Sequence, residues 1–306
     1  MEQSSMTALV SLFARAYHAQ NNHVKVFDDS RAIDIITTEE YEQISFHMTQ
    51  GIGFFDKSFE GTKLEALRHI VNNYLAPSPL GRAAFAEKAL QNAAKIGAEQ
   101  YLILAAGFDT FAYRQPSYGT KLQIFEIDHP LTSTEKQKRV QRIIKQPLDN
   151  LHFVAADFQA KGWQHALLKQ AAFSQEKISF CSMLGLCYYL SKADWIDMLR
   201  VVAGMLPQGS SLVFDYPVFG VTSHCGSKTS DLAKAANEEM KASYLYKEME
   251  EILAGCGFLI YEHLTPREIT NQFFNEYNQA NPQYPMSAPQ HVNYCLAVRQ
   301  AGMVPI

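Results

Sequence analysis

Leu102-Ile-Leu-Ala-Ala-Gly107-Phe-Asp-Thr-Phe-Ala-Tyr-Arg114 is the stretch that decides the fold of this chain. A short apolar strand runs into a turn of small residues. A second apolar stretch, 122–127, ends in Asp128. Strand, tight turn, helix-like spacer and acid-tipped strand suit an adenosine-bearing ligand. The turn lets the backbone approach the ligand, and the acid accepts hydrogen bonds from ribose hydroxyls.

Outward from this stretch the chain alternates. Strands are expected at 101–105, 122–127, 151–155, 177–182, 210–215, 257–262 and 291–298, with helices at 131–145, 163–171, 192–204 and 238–254. Near-continuous apolar strands separated by helices predict an α/β fold: a Rossmann-like, mainly parallel seven-stranded sheet with helices on both faces. Upstream, 6–20, 39–50, 62–75 and 83–95 read as helices. Gly51-Ile-Gly-Phe-Phe55 reads as an aromatic turn, and Pro77-Ser-Pro79 as the end of an N-terminal helical region. The expected organisation is a helical cap over 1–80 and a ligand-binding domain over 81–306. Insertions at about 216–237 and 263–290 follow strands, where ligand crevices open in such sheets. Either insertion serves as a lid over a substrate or runs over the surface. Phe54, Phe55, Phe273, Phe274, Tyr277 and Tyr284 suit an apolar lid or cleft, or simply cover the sheet.

Composition narrows the function. The 306 residues are 47% hydrophobic and 19% charged, which supports a sizeable core, and the net charge is −4 with no dense Lys/Arg tract. Nucleic acid is therefore not an expected partner, because phosphate backbones reward clustered positive charge. No apolar run reaches the roughly 20 residues of a membrane span. The start, Met-Glu-Gln-Ser-Ser, lacks a basic segment leading into an apolar one. Cysteines stand at 181, 187, 225, 256 and 295 without a Cys-x-x-Cys pair. Their odd number in a large chain favours a reducing compartment, so a cytoplasmic location is expected. No metal is expected: there is no His-Glu-x-x-His, cysteine quartet or acidic triad. Ser182 precedes Met-Leu-Gly, which is not the Gly-x-Ser-x-Gly turn of a serine hydrolase.

The turn chemistry selects among adenosine cofactors. A nicotinamide cofactor carries a pyrophosphate, usually held by Gly-x-Gly-x-x-Gly. Here the turn reads Ala105-Ala-Gly107-Phe-Asp109, and its acid opposes a polyanion. S-adenosylmethionine has no phosphate and a positive sulfonium, so the turn suits it better. Asp157, after the third strand in Val154-Ala-Ala-Asp-Phe158, can accept the adenine amino group while Phe158 packs on the ring. The alternative for Asp157 is a helix cap. Arg82 can hold the methionine carboxylate bidentately, placed just ahead of the helix that precedes the first strand.

Several pieces in order carry a likeness to a known family. They are Ser5-Met-Thr-Ala8 leading to Arg15-Ala16, Gly81-Arg82, the stretch 104–114, Phe125-Glu-Ile-Asp-His-Pro130 followed by Lys136, and Met183-Leu-Gly-Leu-Cys-Tyr-Tyr-Leu190. Together they resemble class I S-adenosylmethionine-dependent methyltransferases of the leucine carboxyl methyltransferase superfamily. The nearest likeness is to tetracenomycin-type polyketide O-methyltransferases, which methylate a carboxylic acid. The resemblance implies that Arg82 grips the cofactor carboxylate and that Arg15 lies near a second basic group at that end. It also implies that Gly107 sits beneath the methionine portion, that Asp128 binds ribose, and that Asp157 and Phe158 contact adenine. It further implies a last strand returning antiparallel beside an existing one. Ala105 stands where the family turn commonly has its first glycine. Leu184 replaces a glutamate of the protein-phosphatase branch, which argues against a phosphatase C-terminus as substrate.

The expected reaction is in-line attack by a substrate oxygen on an activated methyl. A carboxylate, with pKa about 4, is already ionised at neutral pH, whereas a phenol near pKa about 10 gains from a base. No His-Asp pair follows the fourth strand. Cys187, Tyr188 and Tyr189 line that region, where the tyrosines orient a carboxylate, stack on a substrate or pack. His224 is a candidate base for a phenol. Arg114 pairs with Asp109 to shape the turn or contacts an anionic substrate. Glu126 and His129 support the Asp128 loop, with Lys136 a candidate partner of Glu126. The resulting expectation is an O-methyltransferase forming a methyl ester on a small, aromatic or polyketide-like carboxylic acid. The alternatives are a phenolic O- or N-methyltransferase and a non-catalytic cofactor-binding module.

Overall fold

The computed structural model describes residues 5–114, 116–144, 146–218, 228, 231, 234 and 241–300. Its strands are β1 Gln100–Leu104, β2 Gln123–Asp128, β3 Leu151–Ala155, β4 Ser179–Met183, β5 Ser211–Pro217, β6 Phe258–Leu264 and β7 Val292–Arg299. They form one seven-stranded sheet in the order β3-β2-β1-β4-β5-β7-β6. β1 to β5 pair in parallel, and β7 runs antiparallel between β5 and β6. The expected alternation and antiparallel return are therefore both present.

Strand periodicity explains why both faces need helices. On β1, Tyr101 and Ile103 enter one apolar core, against Phe13, Leu80 and Phe85 of the N-terminal helices. Leu102 and Leu104 enter the other, with Phe125, Cys181, Trp195 and Leu199. Successive side chains point to opposite faces, so a strand apolar at every position is stable only when covered twice.

Four expectations need correction. Pro77 does not end a helical region; it starts the helix Pro77–Lys95, which runs through position 80 and carries Arg82 in its second turn. Proline is favoured in a first helical turn, where its missing N–H has no partner to lose. The helix expected over 163–171 contracts to His165–Leu168; of that expected over 238–254, the described part from 241 onward is helical only over Tyr246–Gly255. The segment read at 263–290 is not a free lid. Beyond the end of β6 it forms helical turns over Pro266–Ile269, Thr270–Phe274 and Asn275–Ala280. Phe274 and Tyr277 are buried in the first core, and the buried Asn72 Nδ2 donates to Tyr277 Oη at 3.1 Å. Of the insertion read at 216–237, only 216–218, 228, 231 and 234 are described, and His224 lies outside the described residues.

Buried and half-buried ion pairs tie the elements together. Asp29 accepts hydrogen bonds from Arg15 Nη1 and, at 2.6 Å, from Thr110 Oγ1. Arg139 donates from both terminal nitrogens to Glu40, each at 2.7 Å, clamping the helix Thr38–Gln50 to the helix Pro130–Ile143. Glu126 and Lys136 form the pair read as a candidate in the sequence, 2.6 Å apart with side chains 2% exposed. Burial holds the Glu126 carboxyl above its ordinary range, against the opposing pull of Lys136. Among the described residues no helix is long and apolar enough to cross a membrane, and no His/Cys/Asp/Glu group could hold a metal ion.

Lys136→Met leaves Glu126 buried without a counter-charge and should cost about 1–3 kcal/mol in urea unfolding at pH 9, beyond any loss seen at pH 5. The folded-state pKa of Glu126 then lies further above its unfolded value. Parent and variant lose stability alike between the unfolded pKa and the parent's folded pKa of about 7, so the added loss of the variant appears only as pH rises above about 7. Adding Glu126→Gln should recover most of it. An equal deficit at pH 5 and pH 9 would remove this account.

Candidate active site

The C-terminal ends of β1 to β4 open into a cavity of about 1600 Å³, whose other walls come from the N-terminal helices and residues 287–292. Ligands of open α/β sheets bind at this edge, where the connections leave the sheet in opposite directions. Arg15, Arg82, Ala105, Gly107, Asp128, Asp157, Phe158, Tyr188 and Tyr189 all line it. Residues spread over about half the chain thus meet at one site.

The turn after β1 is left-handed at Ala105 (φ 55°) and at Gly107 (φ 50°). Glycine adopts that conformation freely, whereas an L-residue with a Cβ is disfavoured there by about 1–2 kcal/mol. Gly107 N–H donates to Asp128 Oδ2 at 2.5 Å, and His129 N–H donates to Asp128 Oδ1 at 2.6 Å. One carboxylate therefore joins the turn of β1 to the end of β2. Burial raises the Asp128 pKa, and those two N–H groups together with Lys136 and His129 oppose the rise. A carboxylate offers about four lone-pair sites. Two are used here, which leaves acceptors for a pair of vicinal hydroxyls.

Asp157 is exposed to the cavity and accepts Gln159 N–H at 2.9 Å. It thus combines a local turn bond with a place on the cavity wall. Phe158 stands edge-on to Trp163, ring centroids 5.0 Å apart.

Arg82 points into the cavity wall from its helix. Gly81, immediately before it, admits Tyr294 Oη and the Phe274 ring, which a Cβ would displace. The Arg82 side chain is 22% exposed, with Asp215 Oδ2 3.6 Å from Nη1. Among the described residues none accepts a hydrogen bond from its guanidinium, which carries five donors. A Cβ at Gly185 would overlap Nη1, so the chain keeps open the space this cation uses. A half-buried guanidinium without acceptors among the described residues, an anchored acid on the same cavity and the turn after β1 fit a cofactor that carries a carboxylate, a sulfonium and a ribose.

Other expected residues stand differently. Arg15 reaches the cavity, but it donates to Asp29 and, at 2.8 Å, to Phe108 O, which fastens the helix Met6–Asn21 to the cofactor turn. Arg114 does not reach the cavity. It lies against a separate depression of about 480 Å³ and pairs with Glu87 and, at 3.5 Å, with Asp29. Its expected partner Asp109 instead accepts Phe111 N–H at 2.8 Å. The carboxylate caps the next turn, and Arg114 takes the acids on its other side. Tyr188 donates to Asp215 Oδ2 at 2.9 Å. Cys187 is buried and outside the wall, and burial raises its thiol pKa. Phe54 and Phe55 line the cavity, whereas Phe273, Phe274, Tyr277 and Tyr284 do not.

Sequence reasoning misses Asp29 and Asp215. Asp215 alone carries a visible signal: an acid at the end of the apolar run Leu212-Val-Phe-Asp215. Its side chain is 1% exposed.

An adenosine-cofactor site at the switch point of a 3-2-1-4-5-7-6 sheet defines a class I methyltransferase. Comparison with known proteins gives the family. The model described as leucine carboxyl methyltransferase matches residues 8–203. YktD of Bacillus subtilis (strain 168), named among S-adenosyl-L-methionine-dependent methyltransferases, is 36% identical over 307 residues, covering 97% of this chain and 99% of its own. A protein of Parafrankia sp. (strain EAN1pec) named to the same class is 31% identical over 156 residues, covering 51% of this chain and 48% of its own. A DUF574 family protein from Streptomyces avermitilis shares the fold at TM-score 0.61 and 12% identity, covering 97% of this chain and 98% of that one. The chain belongs to the leucine carboxyl methyltransferase family of S-adenosylmethionine-dependent methyltransferases.

Ala105→Gly should raise stability by about 0.5–1 kcal/mol, the left-handed strain relieved less the added freedom of the unfolded chain. A loss of stability on Ala105→Gly in chemical denaturation would show the turn to be unstrained. Calorimetric titration with S-adenosylmethionine should show saturable binding that Asp128→Ala weakens by about 10-fold or more. Unchanged affinity would place the ribose elsewhere.

Proposed function

We propose that this chain forms methyl esters on a small-molecule carboxylic acid, as the tetracenomycin-type enzymes it resembles do. Arg82 holds the cofactor carboxylate, Ala105 and Gly107 let the turn approach the methionine portion, Asp128 binds the ribose, and Asp157 with Phe158 holds adenine. The bound cofactor supplies a methyl group activated by its sulfonium. The N-terminal helices within 1–80 act as the cap over the acceptor.

One observation carries the ester reading: the chemistry of the wall after β4. It consists of Leu184, Gly185, Leu186, Tyr188 and Tyr189, and the Tyr188 proton is committed to Asp215. Such a wall takes no proton from an acceptor. A carboxylate needs no such help, because it is ionised at neutral pH. Lys57, Lys228 and Lys241 on the same cavity add positive charge for an anionic acceptor. Ile44, Met48, Phe54, Phe55 and Tyr74 supply apolar walls for an aromatic or polyketide-like body. At about 1600 Å³ the cavity exceeds the roughly 300–1,000 Å³ of single-ligand sites, which leaves room for cofactor and acceptor together. The chain works in the cytoplasm in this reading, in keeping with Cys181, Cys187, Cys256 and Cys295 as buried free thiols.

A second reading rests on a feature absent from the sequence pattern. His69 lines the cavity with Nε2 3.5 Å from Asp56 Oδ2, a pairing that can hold an imidazole as a base toward a phenol. The π-helical turn Val71–Leu75 follows directly, and such turns recur at functional sites.

The two readings separate by pH. With aromatic carboxylic acids, S-adenosylhomocysteine release should show a kcat/KM that is flat from about pH 6 to about pH 9. Turnover confined to matched phenols, rising with pH and lowered about 100-fold by His69→Asn, would replace the ester reading with the second one.

A further inference from the structure

Asp215 sits at the C-terminal end of β5, side chain 1% exposed. It is not in the cavity wall and takes no direct part in the proposed reaction. Its environment is nevertheless built around one neighbour. Oδ1 accepts Gly185 N–H at 2.6 Å, and Oδ2 accepts Tyr188 Oη–H at 2.9 Å. The same Oδ2 faces Arg82 Nη1 at 3.6 Å. Gly185 is left-handed, φ 69°, and presses on the guanidinium so closely that no Cβ fits. Three separate elements, the Pro77–Lys95 helix, the turn after β4 and the end of β5, thus converge on one carboxylate.

The spacing is the informative part. At 3.6 Å Asp215 attracts the Arg82 guanidinium without taking its hydrogen bonds. Nη1 is drawn toward the acid and stopped by Gly185, while the donors remain free for another carboxylate. We infer that Asp215 is the positioning residue that presets Arg82 for the carboxylate of the cofactor, with Gly185 and Tyr188 fixing Asp215. This rests on the proposed role of Arg82. It assigns Tyr188 to support of the cofactor end rather than to the acceptor. A preset guanidinium gives up less side-chain freedom on binding than a loose one, and a bidentate carboxylate pair rewards correct orientation.

The competing account is that Asp215 merely competes with the cofactor for Arg82. The two accounts differ in sign. Binding is measured by calorimetry with S-adenosylmethionine and with its decarboxylated analogue, which lacks only the carboxylate. The ratio of the two affinities reports the carboxylate contact alone. Positioning predicts that Asp215→Asn lowers this ratio by about 10-fold while affinity for the analogue stays within about twofold. Tyr188→Phe keeps the charge but removes one anchor, and should lower the ratio by about threefold. It serves as the test if Asp215→Asn prevents folding, as judged by circular dichroism and thermal melting.

A ratio that rises on Asp215→Asn makes the acid a competitor and overturns the inference. Equal weakening of both ligands makes its role structural and overturns it too. Arg82→Met separates this inference from the reading beneath it. If Arg82→Met collapses the ratio and Asp215→Asn does not, Arg82 keeps its role and Asp215 loses its positioning role. If Arg82→Met leaves the ratio intact, the assignment of Arg82 itself falls.

Discussion

The bond pair that Asp128 accepts, from Gly107 N–H and His129 N–H, is the constraint on which the site depends. β1 and β2 are already paired over Gln100–Leu104, so their ends lie side by side by register. Parallel pairing alone does not say where the chain goes after Leu104. The left-handed residues Ala105 and Gly107 turn it back sharply, and the carboxylate at the tip of β2 catches the returning N–H. Asp128 thus meets a structural need with part of its capacity and leaves the remainder facing the cavity. In the proposed reading structural and binding roles coincide in this one side chain, and the two N–H groups it accepts offset the burial of its charge.

Asp29 does for the N-terminal helices what Asp128 does for the sheet. It accepts from Arg15 and Thr110, and Arg15 reaches on to Phe108 O. The helix Met6–Asn21 is consequently tied to the backbone of the same turn that Asp128 shapes. Arg139 and Glu40 repeat the connection on the far side. The cavity walls made by the helix Met6–Asn21 and by the helix Thr38–Gln50 are therefore each held by one ion pair, rather than resting on apolar contact alone. Apolar packing is non-directional and fixes distance more than orientation. Bidentate pairs add the orientation.

How much of this is legible in the sequence follows from where each partner lies in the chain. The strands are readable because each is a nearly unbroken apolar run, and covering both faces demands that pattern. Gly107, Asp128 and Asp157 are readable as cavity-lining residues because they stand where strands end. Arg82 is readable as a residue but not as a position on a helix, because proline marks both the end of one helix and the first turn of the next. Sequence proximity assigns Arg114 to Asp109, while the folded chain offers Glu87, 27 residues away. Asp29 and Asp215 escape a sequence reading for the same reason: their partners Thr110 and Arg82 come from remote segments, and only the sheet topology brings them together. His69 and Asp56 meet across a loop that carries no periodic signal.

The sheet order also separates the two ends of the proposed cofactor site. β2 and β4 flank β1 on opposite sides, so the acids at the ends of β2 and β3 stand on one side of the cofactor turn. Arg82, Gly185 and Asp215 gather on the other, over β4 and β5. One end of the cavity accepts hydrogen bonds and the other donates them. A nucleoside with an amino-acid tail would match both ends in the orientation proposed above, hydroxyls toward Asp128 and carboxylate toward Arg82. Reversed, it would set a carboxylate against Asp128. In the proposed reading Gly107 stands beneath the methionine portion, and the acceptor side of the cavity is the one walled by the N-terminal helices. The polarity of the cofactor end and the apolar character of the acceptor end thus follow from one topological fact, the reversal of connection direction at β1.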